Sequence, residues 1–172
     1  MRDAVVRAID VVVRPARQDE LTEIGAITVA AYEADGLLVA DPEYVHELSD
    51  AARRAEQAEL LVAITAEGEV LGSVTVTPPG SAFAEISRDG ELEFRMLSTA
   101  PAARGRGVGE ALAKAVVGRA RELGARRVVL CSLESMTTAH RLYTRLGFAR
   151  IPDRDWQPAP GFWLRAFGLD LT

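Results

Sequence analysis

The glycines of Arg104-Gly105-Arg106-Gly107-Val108-Gly109 constrain this chain more than any other run in its 172 residues. Residues 91–96 before it are strand-like. Behind it Val108, Leu112, Val116, Ala120 and Leu123 recur at intervals of four, four, four and three, which is one face of a helix. A strand, a glycine-rich turn and a helix N-terminus bring unpaired backbone N–H groups and the positive end of a helix dipole to one place, which favours a bound anion. Glycine at 105, 107 and 109 lets a phosphate approach the backbone, and Arg104 and Arg106 add forked donors. No Gly-Lys-Ser/Thr follows, so this is not a Walker A loop. Glu110 stands where a dinucleotide Gly-x-Gly-x-x-Gly fingerprint needs its last glycine. Taken alone, a glycine-rich turn with solvated arginines explains the run equally well.

The other elements follow in order. Residues 5–13 read as a strand stopped at Pro15. Asp19 is placed to cap a helix with Leu21, Ile24, Ile27 and Ala31 on its apolar face. Asp41-Pro42 opens a second helix through Val45, Leu48, Ala52 and Ala55. Residues 60–65 and 70–77 are β-rich on either side of Glu67-Gly68, a hairpin signal. Residues 81–90 form a polar connection. In residues 91–99, Glu93, Arg95 and Leu97 alternate with Leu92, Phe94 and Met96, so one face is the more charged. Gly124 caps the glycine-loop helix, and residues 127–133, apolar on both faces, form a central strand. Residues 137–146 form another helix, with Ser135 or Thr137 at its start and Gly147 at its end. A short strand at 148–151, a loop at 152–161 and a closing strand at 162–171 complete a single domain, residues 1–172.

Composition narrows the function classes. The apolar share of 48% with 26% charged residues suits one globular core, and no apolar run is long enough to span a bilayer. Arg7 and Asp10 interrupt the first apolar residues, which is not a signal-peptide pattern, so a cytoplasmic chain is expected. A net charge of −5 argues against nucleic-acid binding. One cysteine, Cys131, in an apolar run, and two histidines leave neither a disulfide nor a metal site to expect.

The second informative segment is Ala139-x-x-Leu142-Tyr143-x-x-x-Gly147-Phe148. Together with Arg104-x-x-Gly107-x-Gly109 and its upstream Leu97 and Pro101, it closely resembles the paired signatures of GNAT-type N-acetyltransferases. The resemblance covers roughly residues 91–148. It implies an α/β (α+β) domain with a mixed, mostly antiparallel sheet of six to seven strands flanked by about four helices, acetyl-CoA as cosubstrate and no metal. Backbone groups of Leu97, Ser98 and Thr99 would pair with pantetheine as an added strand does, an N–H near Ser98 polarising the thioester carbonyl. Backbone N–H groups of Arg104, Gly105, Arg106, Gly107, Val108 and Gly109 would hold the pyrophosphate, with Ala139 alongside the cofactor. Tyr143 would protonate the departing thiolate, a phenol of pKa about 10 serving a thiol of about 8.5. Glu93 sits where relatives often keep a base, with Glu85 and Glu91 in reserve and a structural strand carboxylate as the alternative. Met136 departs from the family, whose asparagine there bonds the cofactor.

The expected activity is therefore direct transfer of acetyl from acetyl-CoA to an amine, the acceptor being a small molecule or peptide. The alternative from another class is a non-catalytic acyl-CoA-binding sensor or scaffold. An unrelated α/β nucleotide binder is the third reading, which the Tyr143 segment disfavours. The acceptor pocket is expected from residues 32–44, 81–90 and 153–162, with Tyr32, Glu33, Asp35 and Tyr44 on the substrate side. Neither nucleic acid nor membrane is expected as partner, and a homodimer is carried over from the family.

Overall fold

The computed structural model describes residues 10–39 and 41–171. The N-terminal part of the first expected strand, residues 5–9, lies outside the described residues. Eight strands form one sheet in the order β1-β2-β3-β4-β5-β8-β6, with β7 on β8. They are β1 Val12–Pro15, β2 Glu59–Ile64, β3 Val70–Thr77, β4 Glu91–Thr99, β5 Arg127–Leu133, β6 Ala149–Arg150, β7 Trp156–Ala159 and β8 Phe162–Asp170. Among the described residues only β4 and β5 run parallel, and the helix between them supplies the long connection that a parallel pair requires.

Strand alternation explains how both faces are covered. On β2, Leu60 and Val62 pack with Leu21 and Ile24 of α1 (Leu21–Ala34) and Ala51 of α3 (Ala51–Gln57). Leu61 and Ala63 turn the other way, into the larger core built on Val108, Leu112, Val116 and Ala120 of α4 (Val108–Glu122). Those four are among the five whose spacing predicted the helix; the fifth, Leu123, is the residue that caps its C-terminus and is exposed. Tyr143 and Leu142 of α5 (Thr137–Arg145) join the same core. No helix among the described residues is long and apolar enough to cross a membrane.

Several local expectations need correction. The helix expected from Asp41-Pro42 is two helices, α2 (Tyr44–Ser49) and α3, separated at Asp50, whose carboxylate accepts the Arg53 N–H at 3.0 Å and so starts a new helix. The break gives five α-helices rather than four. Asp19 does not cap α1; a single 3₁₀ turn at Gln18–Glu20 leads into it, and Glu20 folds back onto the Arg17 N–H. Neither Ser135 nor Thr137 caps α5, which begins at Met136 without a side-chain cap. β7 falls in the Pro- and Trp-containing segment 152–161 expected as loop. Pairing with β8 overrides that signal at a sheet edge, where a missing N–H costs little, and raises the strand count above seven.

β7 and β8 are fastened by Asp155. Its carboxylate accepts from Arg150 at 2.8 and 2.6 Å, from Arg165 at 3.1 Å and from the Ala166 N–H at 2.7 Å. These bonds, Arg150 first, hold its pKa well below the ordinary carboxylate value. A depressed folded pKa means stability that is present above the unfolded value of about 4 and lost as pH falls below it. Asp155→Asn should therefore lower stability by about 2 kcal/mol at pH 7, with the gap from wild type closing as pH falls below about 4. Urea denaturation across that range checks it.

Candidate active site

β4 carries one feature that its sequence conceals. Pairing with β3 runs Gly72 to Thr99 and Ser73 to Ser98, then jumps to Thr75 opposite Arg95, so Met96 and Leu97 together face Val74 alone. This is a β-bulge, and Met96 takes φ 54°, the one positive φ at a non-glycine residue among those described. On the other side, β4 pairs with β5 only through Glu91, Leu92 and Glu93. Beyond Glu93 the two strands part. Ala100 donates to the Leu71 carbonyl at 2.8 Å, and ladder alternation then turns the backbone groups of Thr99 away from β3, towards the gap.

Two cavities fill this gap, of about 560 and 520 Å³. They share Tyr32, Leu37, Leu97 and Met136 in their walls. The first is a groove that collects the sequence-predicted residues Leu97, Ser98, Thr99, Arg104, Gly105, Gly107, Val108, Gly109 and Ala139. Gly105 and Gly107 have φ of 76° and 80°, and a Cβ on either would meet nothing within 4 Å, so the turn is open on the side where a ligand would lie. Gly107 starts α4 without any side-chain cap, and the first backbone bond inside the helix is from Ala111 to Gly107. The N–H groups of Val108, Gly109 and Glu110 are thus left for a ligand. The uncapped N-terminus of α5 opens onto the same groove through Thr137, Thr138 and Ala139. Two helix dipoles therefore point their positive ends into one groove, an arrangement that fits a pyrophosphate.

The arginines are not placed as expected. Arg104 lines the groove, but Asp35 holds its guanidinium at 2.8 and 3.0 Å and the Ala31 carbonyl accepts from it at 3.2 Å. Its side chain ties α1 to the loop. Arg106 is not part of the groove wall. Arg141 and Arg145 are, one helical turn apart on α5, and their spacing beside Tyr143 was the signal available in the sequence. Gly107→Val should weaken acetyl-CoA binding at least about tenfold, read by calorimetry with circular dichroism confirming the fold. Unchanged affinity would mean that the loop does not carry the phosphates.

The second cavity receives Tyr143, which is buried among Phe94, Phe148 and Phe167 at ring distances of 5.8 to 5.9 Å. Burial raises its pKa, so the phenol is protonated at neutral pH. Tyr32 and Tyr44 also line this cavity, edge to face at 6.0 Å, and burial pushes the Tyr32 phenol up to about 12. Of the other residues expected on the substrate side, Asp35 belongs to the groove and Glu33 to neither cavity.

Glu93, expected as the base, faces neither cavity. Its fully buried carboxylate accepts the backbone N–H groups of Glu85, Ile86 and Ser87 at 2.9 to 3.1 Å, pinning that loop to β4. Three N–H groups, that of Glu85 shared between the two oxygens, thus engage a carboxylate that lines neither cavity, which supports the structural alternative. Glu91 is likewise spent on Arg154 at 2.6 and 3.0 Å and on the Arg88 N–H. Glu85 lines the cavity, as does Asp41, and its carboxylate lies 2.9 Å from Arg95. Burial raises its pKa, outweighing the attraction of Arg95.

Reading the sequence alone missed three further groups. Arg95 enters from β4, and its guanidinium also meets the Tyr44 hydroxyl at 3.1 Å and the Phe83 carbonyl at 3.2 Å. Ser132 lines the cavity with its hydroxyl 3.1 Å from Nε2 of His140, a pairing that eight residues of chain hide. Cys131 lines it as well, its thiol pushed up to about 12 by burial and therefore not a thiolate. Among the described residues, no three His, Cys, Asp or Glu side chains are grouped to hold a metal.

Comparison with known proteins gives this geometry a family. An acetyltransferase of the GNAT family from Staphylococcus aureus Mu50 superposes with a TM-score of 0.74 at 12% identity, over 94% of this chain and 99% of that one. A GCN5-related N-acetyltransferase from Kribbella flavida gives 0.66 at 26% identity, over 94% and 98%. The Salmonella typhimurium yncA structure, which holds its cofactor acetyl-CoA, gives 0.66 at 21%, over 95% of both chains. No curated protein matches the sequence significantly. The sequence profile described as the acetyltransferase (GNAT) family matches residues 23–148, well over half of the chain, and the protein belongs to that family.

Proposed function

We propose that the protein transfers an acetyl group from acetyl-CoA directly to a primary amine. The observation that carries this reading is the common wall of the two cavities. A cosubstrate held by the groove and an acceptor held by the second cavity would meet at Leu97 and Met136, with Tyr143 alongside. Such juxtaposition is what direct transfer requires, since holding two reactants together removes much of the entropic barrier. Acetyl-CoA supplies an activated thioester carbonyl. The uncapped N-termini of α4 and α5 hold its phosphates, and the open edge of β4 from Leu97 to Thr99 aligns the pantetheine arm. The Tyr143 hydroxyl donates a proton to the departing sulfur. Glu85 takes the proton from the incoming ammonium, a task suited to a carboxylate whose pKa burial has raised. The thiol of Cys131 is protonated and the mechanism asks nothing of it.

Met136 stands at the start of α5 in both cavity walls and cannot donate the amide hydrogen bond that an asparagine would. The Thr137 N–H donates to the Ser135 carbonyl at 2.9 Å, which leaves the N–H groups of Thr138 and Ala139 to serve there. A non-catalytic acyl-CoA sensor would need the groove but neither a second cavity nor a buried phenol in its wall.

Tyr143→Phe should lower kcat about 100-fold and leave acetyl-CoA affinity nearly unchanged, measured as thiol release with calorimetry in parallel. Equal turnover by the variant rejects the role. Glu85 must be ionised to act, so kcat/KM should fall as pH drops through a value above the ordinary carboxylate range. Glu85→Gln should lose that acid limb and about 100-fold in rate; an unaltered pH profile in the variant would assign the base elsewhere.

A further inference from the structure

Resting on the acetyl-transfer reading, we infer the class of acceptor: a primary amine carried on an apolar, aromatic-sized body, with no carboxylate beside the amine. The cavity has two chemically different walls. One, from α1, α2, β4 and the loops that precede α2 and β4, gathers Tyr32, Asp41, Tyr44, Glu85 and Arg95. The other, from β5, β7 and β8, offers Leu130, Leu133, Pro158, Phe162 and Leu164.

The charged wall is selective for a cation. Asp41, Glu85 and Arg95 are the charged groups lining the cavity, and Glu47 lies 3.7 Å from Arg95 behind them. Asp41 and Glu85 thus share the wall with one guanidinium whose charge Glu85 and Glu47 already offset, and the rings of Tyr32 and Tyr44 beside them favour an ammonium further. Arg95 is already engaged through three of its five N–H groups, with the Glu47 carboxylate 3.7 Å from Nη1. Nε is taken by Glu85, Nη1 by the Phe83 carbonyl and Nη2 by the Tyr44 hydroxyl. Forked recognition of a carboxylate needs two parallel N–H groups without partners. The α-carboxylate of an amino acid would therefore meet Asp41 and Glu85 while the charge of Arg95 is already offset by Glu85 and Glu47.

The apolar wall sets the body. It contributes no charged side chain, so a second ammonium, as in a polyamine, would lose its hydration without compensation. An aryl or alkyl body gains by burial against it. Phe162 stands at the β7–β8 turn, 39% exposed while lining the cavity, where it can cover the outer end of such a body. A volume of about 520 Å³ is in the range of small-molecule sites rather than of an open peptide channel.

The test is kcat/KM for thiol release at saturating acetyl-CoA with 2-phenylethylamine, ethylamine, phenylalanine, spermidine and two short peptides, one offering a free N-terminus and one a lysine. We expect 2-phenylethylamine to exceed phenylalanine and spermidine by about 100-fold or more. Phe162→Ala should lower its kcat/KM about tenfold more than that of ethylamine. Phenylalanine, spermidine or either peptide turned over as well as 2-phenylethylamine overturns the assignment, as does an equal loss for both amines in the variant. Should no amine release thiol from protein that binds acetyl-CoA, the transfer reading falls. Calorimetry of the CoA-loaded protein then decides the cavity's preference independently: tighter binding of 2-phenylethylamine than of phenylalanine sustains it, and equal binding overturns it.

Discussion

The site depends on a single failure of pairing. One extra residue at Met96–Leu97 distorts β4, and the strand leaves β5 after three paired residues. A regular β4 would continue alongside Leu130 to Leu133, and the space now divided between groove and cavity would be filled by sheet. A bulge leaves its extra residue unpaired and puts Met96 in a left-handed conformation that a side chain resists. The surroundings hold that geometry in place: Phe94 on one side of the bulge is fully buried, and Ser98 on the other is bonded across to Thr28 of α1.

The two halves of the gap differ in charge because they differ in what lines them. The groove is faced by the open N-termini of α4 and α5 and by Arg141 and Arg145, so it suits phosphates. The cavity is faced by Asp41 and Glu85, with Arg95 already committed to internal partners, so it suits a cation. A net charge of −5 for the chain predicts neither. Glu93 contributes from underneath: by holding the N–H groups of residues 85–87 it places the Glu85 carboxylate in the cavity wall.

The groove was legible in the sequence because its parts are local. Glycines in a run, an amphipathic helix behind them and a strand before them specify a strand–turn–helix whatever the rest of the chain does. Tyr143 was legible by resemblance, since its spacing to Ala139 and Gly147 is also local. What escaped was non-local. The alternation of residues 91–97 looks regular, and only the register against β3 shows Met96 and Leu97 sharing one partner. Glu93 reads as a charged strand residue until the loop at 83–87 folds over it, which takes its carboxylate out of both cavity walls and leaves that of Glu85 in one. Ser132 and His140 lie on different elements and meet only in the fold. The strand β7 was hidden by Pro158 within it, and the break at Asp50 by an apolar pattern that runs through it.

Direct transfer between the two cavities is the central claim, and the Ser132–His140 pair supplies its sharpest rival, an acetyl-serine relay. Intact-protein mass after incubation with acetyl-CoA, with and without 2-phenylethylamine, separates them, with thiol release followed in the same samples. The account predicts an unmodified chain in both samples and thiol release only where the amine is present. A stoichiometric thiol burst without amine, with an acetyl group found on Ser132, would contradict it.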